Sequence, residues 1–176
     1  MYGLIRPVVK GKTVLELAAG TGLIAKNIVN AAAHIEAADA SVEMIAEAKR
    51  NNHSAKLCFS VQDMFCLPYA DESFEVVIVS NALHIVPQPE KALAEIHRVL
   101  KDDGVLIAPT FTHEGNSFSG KVRAFFMKLA GFPLHSRWTS EEYLCFLQQN
   151  GWTVRKSVVL KASFPLIYAE CEKTEV

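Results

Sequence analysis

Residues 13–22 read TVLELAAGTG, and the reading of those positions decides the fold. Thr13–Ala18 is a short apolar run of strand length. Gly20 and Gly22 follow, permitting a tight turn and close approach of a ligand to the backbone. Leu23–Ala32 then reads as a helix. Working outward, the same unit recurs. Ile35–Asp39 is a second short strand, and Ser41 is placed to N-cap a helix running to about Asn51. Lys56–Val61 is a third strand. Phe74–Ser80 (FEVVIVS) is apolar almost throughout rather than alternating, which is how a central parallel strand covered on both faces reads. Pro89 suits a first helical turn. Leu93, Ile96, Val99 and Leu100 then repeat with the period of an amphipathic helix. Asp102-Asp103-Gly104 is expected to turn the chain into a fifth strand, Val105–Thr110. Strands alternating with helices predict an α/β fold, a doubly wound, mostly parallel sheet with helices on both faces.

After Thr110 the pattern loosens. Ser117–Ala130 reads as a helix with Phe118, Val122, Phe125, Phe126 and Leu129 on one face. Thr139-x-x-Glu142 is a capping box ahead of Tyr143, Phe146 and Leu147. Trp152–Leu160 and Phe164–Cys171 are β-rich runs expected to pair as an antiparallel hairpin-like edge.

Composition narrows the function classes. The chain has 176 residues, half of them hydrophobic, and a formal net charge of −1. That length suits one domain, read here as 1–176. No Lys/Arg cluster runs along any segment, so a nucleic-acid partner lacks its electrostatic footprint. No apolar run reaches membrane-spanning length and no secretory leader pattern opens the chain, so a cytoplasmic location is expected. The four cysteines, Cys58, Cys66, Cys145 and Cys171, have neither the spacing of a disulfide framework nor that of a zinc motif. They are expected to be reduced, and no metal site is expected.

In an open α/β sheet ligands bind beyond the carboxyl ends of the strands. Strand one ends in Glu16, Ala18, Gly20 and Gly22. Strand two ends at Asp39, placed to receive two ribose hydroxyls. The loop after strand three carries Asp63 and Met64, and strand four ends at Asn81 and Ala82. Each feature alone has a structural explanation, as a helix-entry turn, a helix-start acid or a surface turn. Their joint placement at successive strand ends favours a nucleotide-like ligand. A dinucleotide would bring its pyrophosphate near Glu16, which repels it, and the third glycine of the dinucleotide fingerprint is absent. S-adenosylmethionine has no phosphate and carries an ammonium and a sulfonium, so charge favours it.

At VLELAAGTG (Val14–Gly22), EAADASVEMI (Glu36–Ile45), VQDMFCLPYADESFEVVIVSNALH (Val61–His84) and ALAEIHRVLKDDGVLI (Ala92–Ile107), the chain resembles the class I S-adenosylmethionine-dependent methyltransferases. The likeness is strongest to the group of ubiquinone/menaquinone-biosynthesis and small-molecule enzymes. The resemblance implies a seven-stranded Rossmann-like sheet with an antiparallel last strand, and methyl transfer to a small-molecule or lipid-like acceptor with S-adenosylhomocysteine as product. By position, Glu16, Gly20 and Gly22 match the first cofactor motif, with Ala18 where many members have glycine. Asp39 matches the ribose-binding acid, Ala40 and Met44 flank the adenine, Asp63 takes its amino group and Met64 supplies a backbone donor. Asn81 and Ala82 line the methionine moiety. KDDG at 101–104 replaces a commoner K-P-G-G, away from the cofactor.

Members of the group carry a longer segment before the first motif, so the N-terminal cap region is expected to be short or missing, with Tyr2, Leu4 and Ile5 able to begin an apolar cap helix. Methyl transfer from a sulfonium asks chiefly for alignment and exclusion of water. A base is needed only when the acceptor must lose a proton. His84, just past strand four, is the candidate base. His113 and Glu114 are placed to line an acceptor pocket, and residues 111–138, with Phe118, Phe125, Phe126 and Trp138, are where a substrate lid is expected. His97 and His135 receive no role. The rival readings are a non-catalytic cofactor-binding partner subunit and an NAD-dependent oxidoreductase.

Overall fold

The computed structural model describes residues 1–50, 52–112, 138–160 and 165–175. A short helix, α1 (Tyr2–Val8), leads into β1 (Thr13–Leu17), α2 (Leu23–Ile28), β2 (His34–Asp39), α3 (Val42–Lys49) and β3 (Leu57–Val61). Then follow β4 (Phe74–Val79), α4 (Pro89–Val99), β5 (Leu100–Ile107), the two-residue β6 (Thr110–Phe111), α5 (Ser140–Gln149), β7 (Trp152–Leu160) and β8 (Leu166–Lys173).

One mixed sheet joins all eight described strands in the order β3-β2-β1-β4-β5-β8, with β6 and β7 also paired to β8. The pairs among β1 to β5 are parallel, and those involving β8 are antiparallel. β6 pairs with Ile167 and Leu166 of β8 just beyond the place where Leu106 and Ile107 of β5 pair with Cys171 and Glu170. It therefore continues the track of β5, and eight strand segments occupy seven positions. The doubly wound α/β architecture with an antiparallel last strand is the one the sequence predicts.

β4 runs buried through the centre because both of its faces are covered. Val77 and Val79 join a core with Leu93, Ile96 and Val99 of α4 and with Tyr143 and Leu147 of α5. Val76 and Ile78 join a second core with Ile24, Ala25 and Ile28 of α2 and Ile45 and Ala48 of α3. The helix starts follow local chemistry. Pro89 opens α4, where its missing N–H costs nothing. Ser41 Oγ accepts from the Met44 N–H at 3.1 Å. Thr139 and Glu142 form the reciprocal capping box the spacing predicts.

Besides shifts of one or two residues at other element ends, three boundaries differ from the sequence reading. α2 stops at Ile28 rather than Ala32, because the next residues form a turn whose Ala31 carbonyl accepts from Gly11 N–H and ties it to the entry of β1. Asp102-Asp103-Gly104 does not separate helix from strand. It lies inside β5, as a bulge in which Glu75 alone of β4 stands between paired positions while Lys101–Gly104 stand between their partners. The bulge is at the strand's start, the end of the sheet opposite the candidate site. Thr110, expected to end the fifth strand, falls in β6. The expected helix Ser117–Ala130 lies outside the described residues, as do His113, Glu114, Phe118, Phe125, Phe126 and His135. Trp138 stacks on Phe146, ring centroids 4.7 Å apart, and packs against the core.

α1 forms at Tyr2, Leu4 and Ile5 as a helix, with Ile5 fully buried. It packs with α2 on the second core, and Arg6 donates to the Asn27 carbonyl, so it does not overhang the strand ends. No helix among the described residues is long and apolar enough to cross a membrane.

Candidate functional site

β1 lies between β2 and β4, so the connection after it leaves in one direction and that after β3 returns in the other. A crevice forms where strand order reverses. The backbone leaving β1 bends through three left-handed residues, Ala18 (φ 52°), Gly20 (φ 55°) and Gly22 (φ 75°). Ala18, where many members of the similar group have glycine, adopts a conformation that costs a non-glycine residue about 1–2 kcal/mol. The two glycines differ in what they allow. A Cβ on Gly20 would meet no protein atom within 4 Å, so the space over it is open. A Cβ on Gly22 would stand 2.5 Å from Phe59 Cε1 and 2.6 Å from Cζ. Gly22 is thus demanded by packing against β3. We expect Gly22→Ala to destabilise the protein by about 2–4 kcal/mol, adding left-handed strain to overpacking. Urea unfolding checks this, and a loss below about 1 kcal/mol would show that Phe59 yields.

Glu16 is 2% exposed beneath this turn. Its Oε2 accepts from the Ala25 N–H at 2.8 Å. Gly22 is the N-cap of α2 and has no side chain to satisfy that donor, so the strand supplies the missing cap through space. Burial pushes the Glu16 carboxyl up to about 8, with the Asp39 charge adding to the rise and the Ala25 hydrogen bond opposing it. In the ligand-free protein at neutral pH the group is therefore mostly protonated.

Asp39, at the end of β2, is held from two sides. Its Oδ2 accepts from Gly20 N–H at 2.8 Å and its Oδ1 from Ser41 N–H at 2.9 Å. The carboxylate thus stitches the glycine turn to the start of α3, and each oxygen retains a further lone pair. Ala40 and Met44 lie exposed beside it. Exposed Leu23, Val42 and Val61 also stand at these helix starts and at the end of β3.

Asp63 and Met64 follow β3. Asp63 Oδ1 accepts from Phe65 N–H at 2.9 Å, closing a local turn, and Met64 packs part-buried on the α4-side core. The rest of this loop is pinned to α4. Arg98 donates to the Leu67 and Tyr69 carbonyls and pairs with Glu95, whose Oε2 accepts from Leu67 N–H. Asn81, after β4, is left-handed (φ 53°) and its Oδ1 accepts from Phe111 N–H at 3.1 Å. Ala82 is buried. His84 is half-buried, with Nδ1 3.0 Å from Thr110 Oγ1.

The structure therefore brings Glu16, Ala18, Gly20, Gly22, Asp39 and Ala40 into one turn, places Met44, Asp63 and Met64 after the neighbouring strands, and sets Asn81, Ala82 and His84 after β4. Three contributors escape the sequence reading. Phe59 dictates Gly22, Thr110 orients His84, and Ser41 N–H holds Asp39. Phe59 and Thr110 act across strands and carry no local signal, whereas the Ser41 N–H lies only two residues from Asp39.

The family described as "Methyltransferase domain" matches residues 15–108. The demethylmenaquinone methyltransferase of Renibacterium salmoninarum is 39% identical over 105 residues, 60% of this chain and 44% of that protein. The ubiquinone/menaquinone biosynthesis C-methyltransferase UbiE of Desulfotalea psychrophila is 30% identical over 143 residues, 80% of this chain and 58% of that protein. The chain thus spans about half the length of these curated relatives. Among solved structures, an S-adenosylmethionine-dependent methyltransferase from Mesorhizobium loti superposes with a TM-score of 0.79 at 16% identity, covering 98% of this chain and 95% of that one. YcgJ of Bacillus subtilis gives 0.79 at 17%, covering 99% and 98%. These two share the fold. The family match reaches from within β1 to just past the end of β5 and takes in the glycine turn and every strand end described above. It occupies more than half of the chain, and by it this protein belongs to the methyltransferase domain family.

Proposed function

We propose that residues 1–176 form a single S-adenosylmethionine-dependent methyltransferase domain acting on a small, lipid-like acceptor of the quinone-precursor class. The observation that carries the cofactor reading is the open space over Gly20, bounded by the Asp39 carboxylate and underlain by Glu16. A carboxylate already fixed by two backbone donors needs no reorganisation to accept two ribose hydroxyls. Ala40 and Met44 flank the adenine, Asp63 and the Met64 backbone read its edge, and Asn81 and Ala82 line the methionine end. Glu16 supplies the charge that meets an ammonium. These carboxylate acceptors suit an uncharged ribose and a cationic amino-acid tail better than a diphosphate.

When bound, S-adenosylmethionine supplies an electrophilic methyl on a sulfonium. The chain's own task is alignment, worth up to about 7–11 kcal/mol of the barrier. Asn81 contributes by tying the end of β4 to Phe111, so that the strand-four and β6 loops move as one. His84, oriented by Thr110, is the base for an acceptor that must lose a proton. The acceptor class comes from the names of the curated relatives, which act in menaquinone and ubiquinone synthesis. No partner of nucleic acid is proposed, and the location proposed is the cytoplasm.

The test is thermal. S-adenosylmethionine and S-adenosylhomocysteine at a hundred times Kd are expected to add about 2.7 kcal/mol of stability, while NAD adds none. An equal shift from NAD would sink the cofactor reading in favour of an oxidoreductase. Stabilisation without release of S-adenosylhomocysteine on any quinone-type acceptor would favour the non-catalytic subunit.

A further inference from the structure

On the α4-side face of the sheet, at the end away from the glycine turn, three side chains of different chemistry converge. His34 opens β2 and Glu36 follows two residues on, so both project to the same face. Cys58 of β3 is the direct register partner of Glu36. One imidazole nitrogen, a carboxylate oxygen and the thiol sulfur lie within 4.8 Å of one another. His34 Nε2 already meets Glu36 Oε1 at 3.1 Å.

We propose that His34, Glu36 and Cys58 form a binding site for a divalent transition metal of the zinc class, bridging β2 to the edge strand β3. The donor set is one nitrogen, one oxygen and one sulfur, the mixed set that zinc takes at about 2.0–2.3 Å. Donors around such a tetrahedral ion stand roughly 3.4 Å apart, so side-chain rotation closes the shell and the parallel register needs no change. Binding replaces the His34–Glu36 hydrogen bond with two coordinate bonds and releases the Cys58 thiol proton to solvent.

Cys58 is exposed, so an ion from solvent can reach the cluster directly. The hydroxyls of Tyr69 and of Ser60, the latter two residues along β3 on the same face as Cys58, are buried and interact with one another. Three protein ligands and one water would leave the ion open to exchange.

This site is independent of the cofactor reading. His34 and Asp39 lie at opposite ends of β2, roughly 16 Å apart at about 3.3 Å per residue. The test uses the full chain stripped with chelator. Zinc titrated against a chromogenic chelator is expected to bind at one equivalent. Cobalt is expected to give a thiolate-to-metal charge-transfer band in the parent and in Cys66→Ser, and none in Cys58→Ser. His34→Gln is expected to weaken zinc at least tenfold, with S-adenosylmethionine affinity unchanged in all three variants. Absence of zinc binding by the parent would overturn the proposal. So would binding undiminished by both Cys58→Ser and His34→Gln.

Discussion

Replacing Asp39 by alanine is expected to weaken S-adenosylmethionine binding at least a hundredfold. Two hydrogen bonds from ribose hydroxyls to a carboxylate are lost, each worth about 1.5–3 kcal/mol, and every 1.4 kcal/mol is about tenfold. The same change removes the acceptor for Gly20 and Ser41 N–H, which sit 2.8 and 2.9 Å from it. Those amides are part-exposed and water replaces the partner, so the stability loss should stay near 1 kcal/mol. The left-handed turn would also lose the tether that holds it in register with α3. Asp39→Asn keeps one acceptor oxygen and should fall between the two. Calorimetry well below the unfolding temperature separates affinity from folding. Unchanged affinity in the alanine variant would reduce Asp39 to a brace for the turn.

Glu16→Gln is expected to act in opposite directions on binding and on stability. A bound ammonium favours the anionic carboxylate, so the amide should cost roughly 10–150-fold in affinity. In the free protein, however, burial raises the folded carboxyl from 4.5 to about 8. A folded value above the unfolded one means that the folded state binds the proton more tightly. The stability this contributes is fully present below about pH 4.5 and is lost as the pH climbs to about 8. Glutamine mimics the protonated acid and removes that loss. Urea unfolding at pH 9 should therefore find the ligand-free variant more stable than the parent, with the difference vanishing near pH 4. Cofactor affinity of the parent should rise with pH up to about 8, since binding expels the Glu16 proton. Parallel stability profiles for the two proteins would mean that Glu16 is ionised in the free site, its burial offset by hydrogen bonds to the carboxylate.

Much of this was legible before any coordinates. The non-alternating FEVVIVS run demanded a strand covered on both faces, because no other element buries consecutive apolar residues so completely. The Ser41 and Thr139 caps were readable because a cap is a contact within four residues. The antiparallel ending followed from two β-rich runs too close together for a crossover helix between them. The positions of Glu16, Gly20, Asp39, Asp63 and Asn81 at strand ends also came from the sequence, since strand order fixes which residues face the crevice.

What the sequence could not determine was every property that depends on a partner far along the chain. Asp102–Gly104 is chemically a turn, yet the pairing of β5 with β4 absorbs it as a bulge. Gly22 reads as a ligand-approach glycine, but Phe59 from β3 occupies the place of its Cβ. Glu16 reads as a charged group. Burial beneath the turn and a cap role toward α2 set its protonation, and spacing carries no record of either. The His34–Glu36–Cys58 cluster is invisible to spacing rules for the same reason: 21 residues lie between Glu36 and Cys58 in sequence, and parallel register alone puts them side by side. Local chemistry and periodicity are written along the chain, whereas desolvation, steric exclusion and cross-strand convergence exist only once the sheet has closed.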